Sequence, residues 1–230
     1  MIIQTTRCLA TIIVLSMMIG CAAKTETKRD AFPEMYQAGK RPLSILVVPA
    51  LNDSTSAEAS DYYSATIAEP LSLAGYYVYP LEIVTDILRN EGIADTSLIR
   101  DLPATAFKAG FGADAVLFVT ITIWDKNYMI IASNISVGLE FVMLSTTTNE
   151  VLWSYSTVAE VNASGSSGNI FVDIVTTALS TAMTKNVNVA KLANTQALVA
   201  LPVGHYHPSV GADGAEKVVK VEAKEQALEP

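Results

Sequence analysis

The chain has 230 residues, half of them hydrophobic, with 15 Lys and Arg against 23 Asp and Glu, for a formal net charge of -8. That acidity excludes a nucleic-acid ligand, which requires a basic surface. Both cysteines, Cys8 and Cys21, lie near the N-terminus, which excludes a disulfide-stapled fold and leaves stability to a packed core.

In chain order, Met1 and Arg7 supply a short positive segment, and residues 9–19 form an apolar run broken only by Thr11 and Ser16. That is signal-peptide length and falls short of the about 20 apolar residues a bilayer span needs. Met18-Ile19-Gly20-Cys21 then resembles the bacterial lipobox, in which small residues before a cysteine let a dedicated peptidase cut while the thiol carries diacylglycerol. Gly20 fits that pattern, and Met18 stands where leucine is usual. The expectation is a signal peptide over residues 1–20 and Cys21 as the lipidated first residue, with the net charge moving to -9 as Arg7 is removed. Two or more acyl chains hold a protein on a membrane stably, at roughly 0.8 kcal/mol per buried methylene, and lipoproteins with this motif carry three. Ala22 follows the cysteine where Asp commonly marks inner-membrane retention in enterobacteria, so this resemblance implies an outer-membrane anchor facing the periplasm.

Residues 22–41 are polar and charged with few apolar anchors, which predicts a lipidated tether over residues 21–41 with a root-mean-square reach of roughly 25 Å. Residues 42–202, rich in Val, Ile, Leu and Ala, suffice for one compact domain. Residues 203–230 carry Gly204, Gly211 and Gly214 and a charged run without a clean apolar face, which predicts a mobile tail.

Within the domain, the continuous apolar run at residues 43–49 predicts a strand buried on both faces, followed by a polar loop. Residues 61–74 read as a helix that Pro70 should kink or shorten, with Gly75 as its stop. A strand at 76–81, a short helix at 82–90 ended by Gly92, and a helix at 103–109 with Pro103 in its first turn come next. Residues 115–124 read as a strand. Across residues 134–141 Ile135, Val137, Leu139 and Phe141 alternate with Asn134, Ser136, Gly138 and Glu140, the period of a half-buried antiparallel strand spanning 129–144. A turn at 146–149 leads to a third strand at 150–161, and Phe171, Ile174, Val175, Ala178, Ala182 and Met183 keep helical spacing in a predicted helix over 170–192. The fold class is therefore α/β: a mixed sheet of about five strands, including an antiparallel meander, flanked by helices.

Catalytic chemistry is weakly written. The segment from Gly110 to Ala115 matches G-x-G-x-x-A, but a dinucleotide site needs those glycines after a strand and at a helix N-terminus. Here they precede a strand, so they are expected to end a helix, and no cofactor is expected. The loop Ser164-Gly165-Ser166-Ser167-Gly168 is neither a nucleophile elbow nor a phosphate-binding loop. His205 and His207 are the only histidines, with no cysteine or acidic cluster beside them to complete a metal site. The paired aromatics Tyr62-Tyr63 and Tyr76-Tyr77 suit a core or a partner surface.

PLSILVVPALNDS, PLSLAGYYVYPLEIV, FGADAVLFVTITIWDKNYMIIASNISV and VLWSYS, within residues 42–161, resemble an uncharacterised family of bacterial lipoproteins whose fold is similar to the N-terminal domain of the translocation protein TolB. TTTNE replaces the D-x-x-T-G-like hairpin usual there, and Asn149 can still supply the turn. The resemblance implies an α/β envelope domain without established enzymatic activity, accompanying a curli-secretion-channel-like lipoprotein and a second small lipoprotein. Only Cys21 carries over as a residue of known role. Two functions follow as expectations. One is a non-catalytic accessory lipoprotein binding membrane, envelope lipoproteins or a second copy of itself. The other is a periplasmic hydrolase or metal-dependent enzyme built on Ser166 or on His205 and His207.

Overall fold

The structure is a computed structural model that describes residues 24–93, 95–128, 133–162 and 186–220. The lipobox with Cys21, the serine-glycine loop with Ser166 and most of the helix expected over 170–192 lie outside the described residues.

Six strands form one mixed sheet: β2 (Ser44–Val47), β3 (Leu51–Asn52), β4 (Tyr77–Val78), β5 (Ala115–Tyr128), β6 (Ser133–Ser145) and β7 (Val151–Asn162). Their order is β4-β2-β5-β6-β7, with β3 pairing β5 beyond the end of β2. β2 runs parallel to β4 and β5, whereas β5, β6 and β7 form the antiparallel meander that their short connections predict. The strand expected at 76–81 contracts to two residues, because Pro80 takes the cap position of the next helix and Leu81 begins it.

Helices α2 (Ala59–Ser64), α3 (Ala68–Leu73) and α7 (Asn186–Leu198) belong to one side of the sheet, and α4 (Leu81–Asn90), α5 (Thr96–Arg100) and α6 (Ala104–Phe111) to the other. β5 is buried on both faces in its first half: Leu117, Val119 and Ile121 join the larger core with Ile45, Val47, Leu139, Phe141 and Trp153. Val116 and Phe118 join a second core with Leu46, Val84, Leu88 and Phe107, where Phe107 and Phe118 meet edge to face at 6.0 Å. This double coverage is why β5 reads as an unbroken apolar run, whereas β6, with exposed Glu140 on its other face, alternates. Gly138 lies opposite a bulge between Ile121 and Ile123, where a Cβ would stand 2.5 Å from the Thr122 hydroxyl.

Pro70 breaks its helix in two. It lacks an N–H and its ring crowds the carbonyl four residues back, at Thr66, in the gap between α2 and α3. There the Thr66 hydroxyl instead donates to the carbonyls of Tyr62 and Tyr63. Gly112 ends α6 in the left-handed conformation, φ 74°, just before the chain enters β5, whereas Gly110 lies inside the helix. Asn149, at φ 60°, makes the β6–β7 turn, and its side-chain oxygen accepts from the Ala104 N–H at 2.8 Å, capping α6.

Two boundaries need correction. Residues 24–41 are no tether: β1 (Lys24–Thr27), α1 (Lys28–Ala31) and a 3-10 turn (Pro33–Tyr36) pack onto the domain, burying Phe32 and Met35 beside Trp153 and its neighbours. Nor are residues 203–220 a mobile tail, because they fold back and end in β8 (Lys217–Lys220), which pairs antiparallel with β1 in a separate two-stranded sheet. The two ends are cross-braced. Buried Lys28 donates to the Leu201 carbonyl and sits 2.8 Å from the Glu216 carboxylate. Buried Asp213 accepts from the Tyr36 hydroxyl at 3.0 Å and the Val203 N–H at 2.8 Å. Arg41 donates to the Val203 carbonyl, and the guanidinium groups of Arg29 and Arg41 each lie 4.8 Å from the centre of the Tyr36 ring.

Candidate interaction surface

Of the residues a hydrolase or metal enzyme would draw on, His205 and His207 are among the described residues, whereas Ser166 lies outside them. The segment bearing His205 and His207 is strapped to the end of α3: the Gly204 N–H donates to the Ala74 carbonyl at 2.7 Å and the Tyr206 N–H to the Gly75 carbonyl at 3.1 Å. Both contacts depend on glycine. A Cβ at Gly204 would fall 2.2 Å from the Gly75 carbonyl oxygen, and one at Gly75, φ 89°, 2.4 Å from the His207 nitrogen. His207 Nδ1 accepts from the Ser209 N–H at 3.1 Å, and His205 is exposed, edge-on to Tyr206. Among the described residues no group of three or more His, Cys, Asp or Glu side chains could hold a metal.

Charged groups at the opening of the sheet are bonded to one another. Asp114, the acidic residue of the FGADA segment, accepts from the Leu43 and Ser44 N–H groups, the Ser44 hydroxyl and Lys108 Nζ. Burial works to raise its pKa, but the bonds from Lys108 and Ser44 outweigh it and hold the carboxyl below its usual range. Lys40 bridges Glu34 and Glu150 at 2.7 and 3.0 Å. On the other side of the sheet, half-buried Arg100 donates to the Thr120 hydroxyl, with the carboxylates of Asp53 and Glu140 close enough to act on its charge. Burial pulls the Arg100 pKa down and the two carboxylates push it back up. These groups tie strands and helices together.

The aromatic pairs divide between core and surface. Tyr63 is fully buried, and Tyr76 is buried with its hydroxyl donating to the Pro202 carbonyl. Burial raises both hydroxyls far above the usual tyrosine pKa, so each remains a neutral group. Tyr62 stacks on Trp124 at 6.0 Å. Tyr77 alone of the four faces outward, 55% exposed, on the edge strand β4, with Tyr79 against it edge to face at 5.3 Å.

Other exposed apolar side chains lie on segments bonded to that edge. Leu73, 71% exposed, precedes Gly75; Tyr206, 64% exposed, is on the strap bonded to Gly75; and exposed Leu43 carries the carbonyl that accepts from the Tyr77 N–H. Three parts of the chain thus present large apolar side chains around one short sheet edge, with enrichment in tyrosine of the kind seen in binding surfaces. Sequence reasoning singled out Tyr77 but missed Tyr206. Its signal was Gly204, two residues before it, which lets the strap lie against the end of α3. At the opposite edge, β7 is twelve residues long with no strand paired on its outer side among the described residues, and Val151 and Val158 are exposed there.

Known proteins can be set beside this geometry. The profile of the GNA1162-like lipoprotein family matches residues 34–205. The lipoprotein NMB1124/NMB1162 of Neisseria meningitidis serogroup B is 29% identical over 164 residues, 71% of this chain and 76% of its own. The crystal structure of lipoprotein GNA1162 from Neisseria meningitidis superposes with a TM-score of 0.52 at 29% identity, covering 63% of this chain and all of that one. A PelC dodecamer from Paraburkholderia phytofirmans is looser, at 15% identity and a TM-score of 0.44 over 69% of this chain and 87% of that one. No helix among the described residues is long and apolar enough to cross a membrane.

Proposed function

Since the chain belongs to the GNA1162-like lipoprotein family, we propose that it is a non-catalytic cell-envelope lipoprotein, acylated at Cys21 and held on the periplasmic face of the outer membrane, that works by binding other envelope proteins. The observation that carries the reading is the exposed set Leu73, Tyr77 and Tyr206 around the β4 edge. Its partners are the channel-like lipoprotein and the small lipoprotein implied by the sequence resemblance. Anchoring serves such a role by confining the domain near membrane-bound neighbours, which raises their effective concentration without new contacts.

The test is site-specific photo-crosslinking in intact cells. A crosslinker at Tyr77 or Tyr206 should capture an envelope protein, one at exposed Glu91 at the end of α4 should not, and Cys21→Ser should abolish capture by releasing or stalling the chain. A catalytic turnover lost on substituting His205 or Ser166, with no capture from Tyr77 or Tyr206, would overturn it in favour of the enzyme.

A further inference from the structure

We propose that the β1–β8 ribbon is the membrane-facing surface of the domain, lying against the phospholipid headgroups of the leaflet that holds the acyl chains. The inference rests on acylation at Cys21 and adds an orientation to it. Lys24 opens β1, three residues after Cys21. Three residues span at most about 10 Å, so a lipidated Cys21 brings the start of β1 to the headgroup layer instead of leaving the domain on a free tether.

The charge pattern of the ribbon fits that position. The register sets Lys24 opposite Lys220 and Thr27 opposite Lys217. Residues 24–30 and 216–220 hold five cations, Lys24, Lys28, Arg29, Lys217 and Lys220, against three carboxylates, Glu26, Asp30 and Glu216, in a chain whose net charge is -8. Of these, Lys28 is buried and paired with Glu216, whereas Lys217 is exposed. Each cation near an anionic leaflet raises binding by about fivefold, an effect confined to about a Debye length, roughly 10 Å at 0.1 M salt. The distance the three-residue connection allows is of that size. The ribbon cannot swing away alone, because Lys28, Tyr36 and Asp213 tie it to the domain.

The experiment uses the full lipidated chain in vesicles of phosphatidylethanolamine and phosphatidylglycerol carrying a headgroup-level fluorescence quencher. With Cys21 acylated and Cys8 removed with the leader, single cysteines can be placed cleanly at Thr27→Cys, on the ribbon, and Glu91→Cys, on the helix layer across the sheet. The label at residue 27 should be quenched about threefold more than the label at residue 91. A Gly/Ser insertion of about 20 residues after Ala23, whose reach is roughly 25 Å, should erase most of the difference. Lys24→Glu with Lys220→Glu should also reduce it, and salt should then have less effect. An acylated, vesicle-bound chain with equal quenching at the two positions overturns the apposition alone. A chain recovered off the vesicles whose residue 21 has an unmodified mass overturns the anchor, and this inference with it.

Discussion

Gly204→Ala isolates the strap between the C-terminal segment and α3, since the side chain it adds has nowhere to go. The new Cβ would meet the Gly75 carbonyl oxygen at 2.2 Å and its carbon at 2.6 Å, both backbone atoms. The segments must therefore part, which breaks the Gly204-to-Ala74 and Tyr206-to-Gly75 hydrogen bonds. Each such bond contributes about 1 kcal/mol net. Parting also loosens Tyr76, buried with its hydroxyl on the Pro202 carbonyl, and leaving that hydroxyl unpaired adds about 1 kcal/mol or more. The expected loss is about 3 kcal/mol. In urea, with a slope of about 2 kcal/mol per molar, the unfolding midpoint should fall by roughly 1.5 M. Gly110→Ala is the control: it lies inside α6 with no atom within 4 Å of its added Cβ, and it should stabilise by about 0.5 to 1 kcal/mol. Limited proteolysis should nick the Gly204→Ala chain between residues 205 and 212 before the sheet is cut. A Gly204→Ala midpoint within about 0.2 M of the parent, well inside the 1.5 M expected from the lost bonds, would refute the strap as a structural element.

Asp114→Asn should cost about 1 kcal/mol at neutral pH, since the partly exposed Lys108 pair is weak and the bonds from residues 43 and 44 supply most of the effect. Because the folded pKa lies below the unfolded one, this contribution is complete above about pH 4 and is lost as pH falls through the folded value, so the variant's acid-unfolding curve should be shallower than the parent's. Asp213→Ala strips the acceptor from Tyr36 and Val203 and leaves nearly buried Arg41 without its carboxylate 3.9 Å away, for a loss of about 3 kcal/mol by thermal melting, whereas Tyr36→Phe should lose about 1 kcal/mol. Gly138→Ala should destabilise by about 1 to 3 kcal/mol, and Thr122→Ala in the same chain should recover part of it by vacating the 2.5 Å contact.

The meander was legible because each of its strands has a covered face and the period of two survives in Val137, Leu139 and Phe141. Family membership was legible for the same reason, in the segments that build that sheet. The chain ends were misread because what holds them has no period. Between residues 24 and 41 the apolar anchors are few, and one of the ties is a buried lysine, a residue type that reads as solvated. After residue 202 the ties are backbone hydrogen bonds, closely packed glycines and the single carboxylates of Asp213 and Glu216, none of which repeats with a period. α5 escaped notice at five residues, although Asp95, which accepts from the Ser97 N–H at 2.8 Å, was a readable N-cap. β3 has only two residues, too few to show alternation. The outward-facing tyrosines depend on which side of β4 and of the strap each ring takes, and only the tertiary pairing decides that.

The pairing of β1 with β8 also governs the order in which the chain can finish folding. Lys24 and Lys220 stand opposite one another although 196 positions separate them in sequence. A chain made from its N-terminus presents β1 long before its mate, and the entropy of closing so long a loop must be met before that pairing stabilises anything. Until residue 216 arrives, the segment bearing Phe32 and Met35 lacks the bonds from Asp213 and Glu216 that pin it over Trp153. Chains truncated before residue 213 should therefore keep the sheet but expose this apolar flank, leaving them prone to aggregation or to proteolysis.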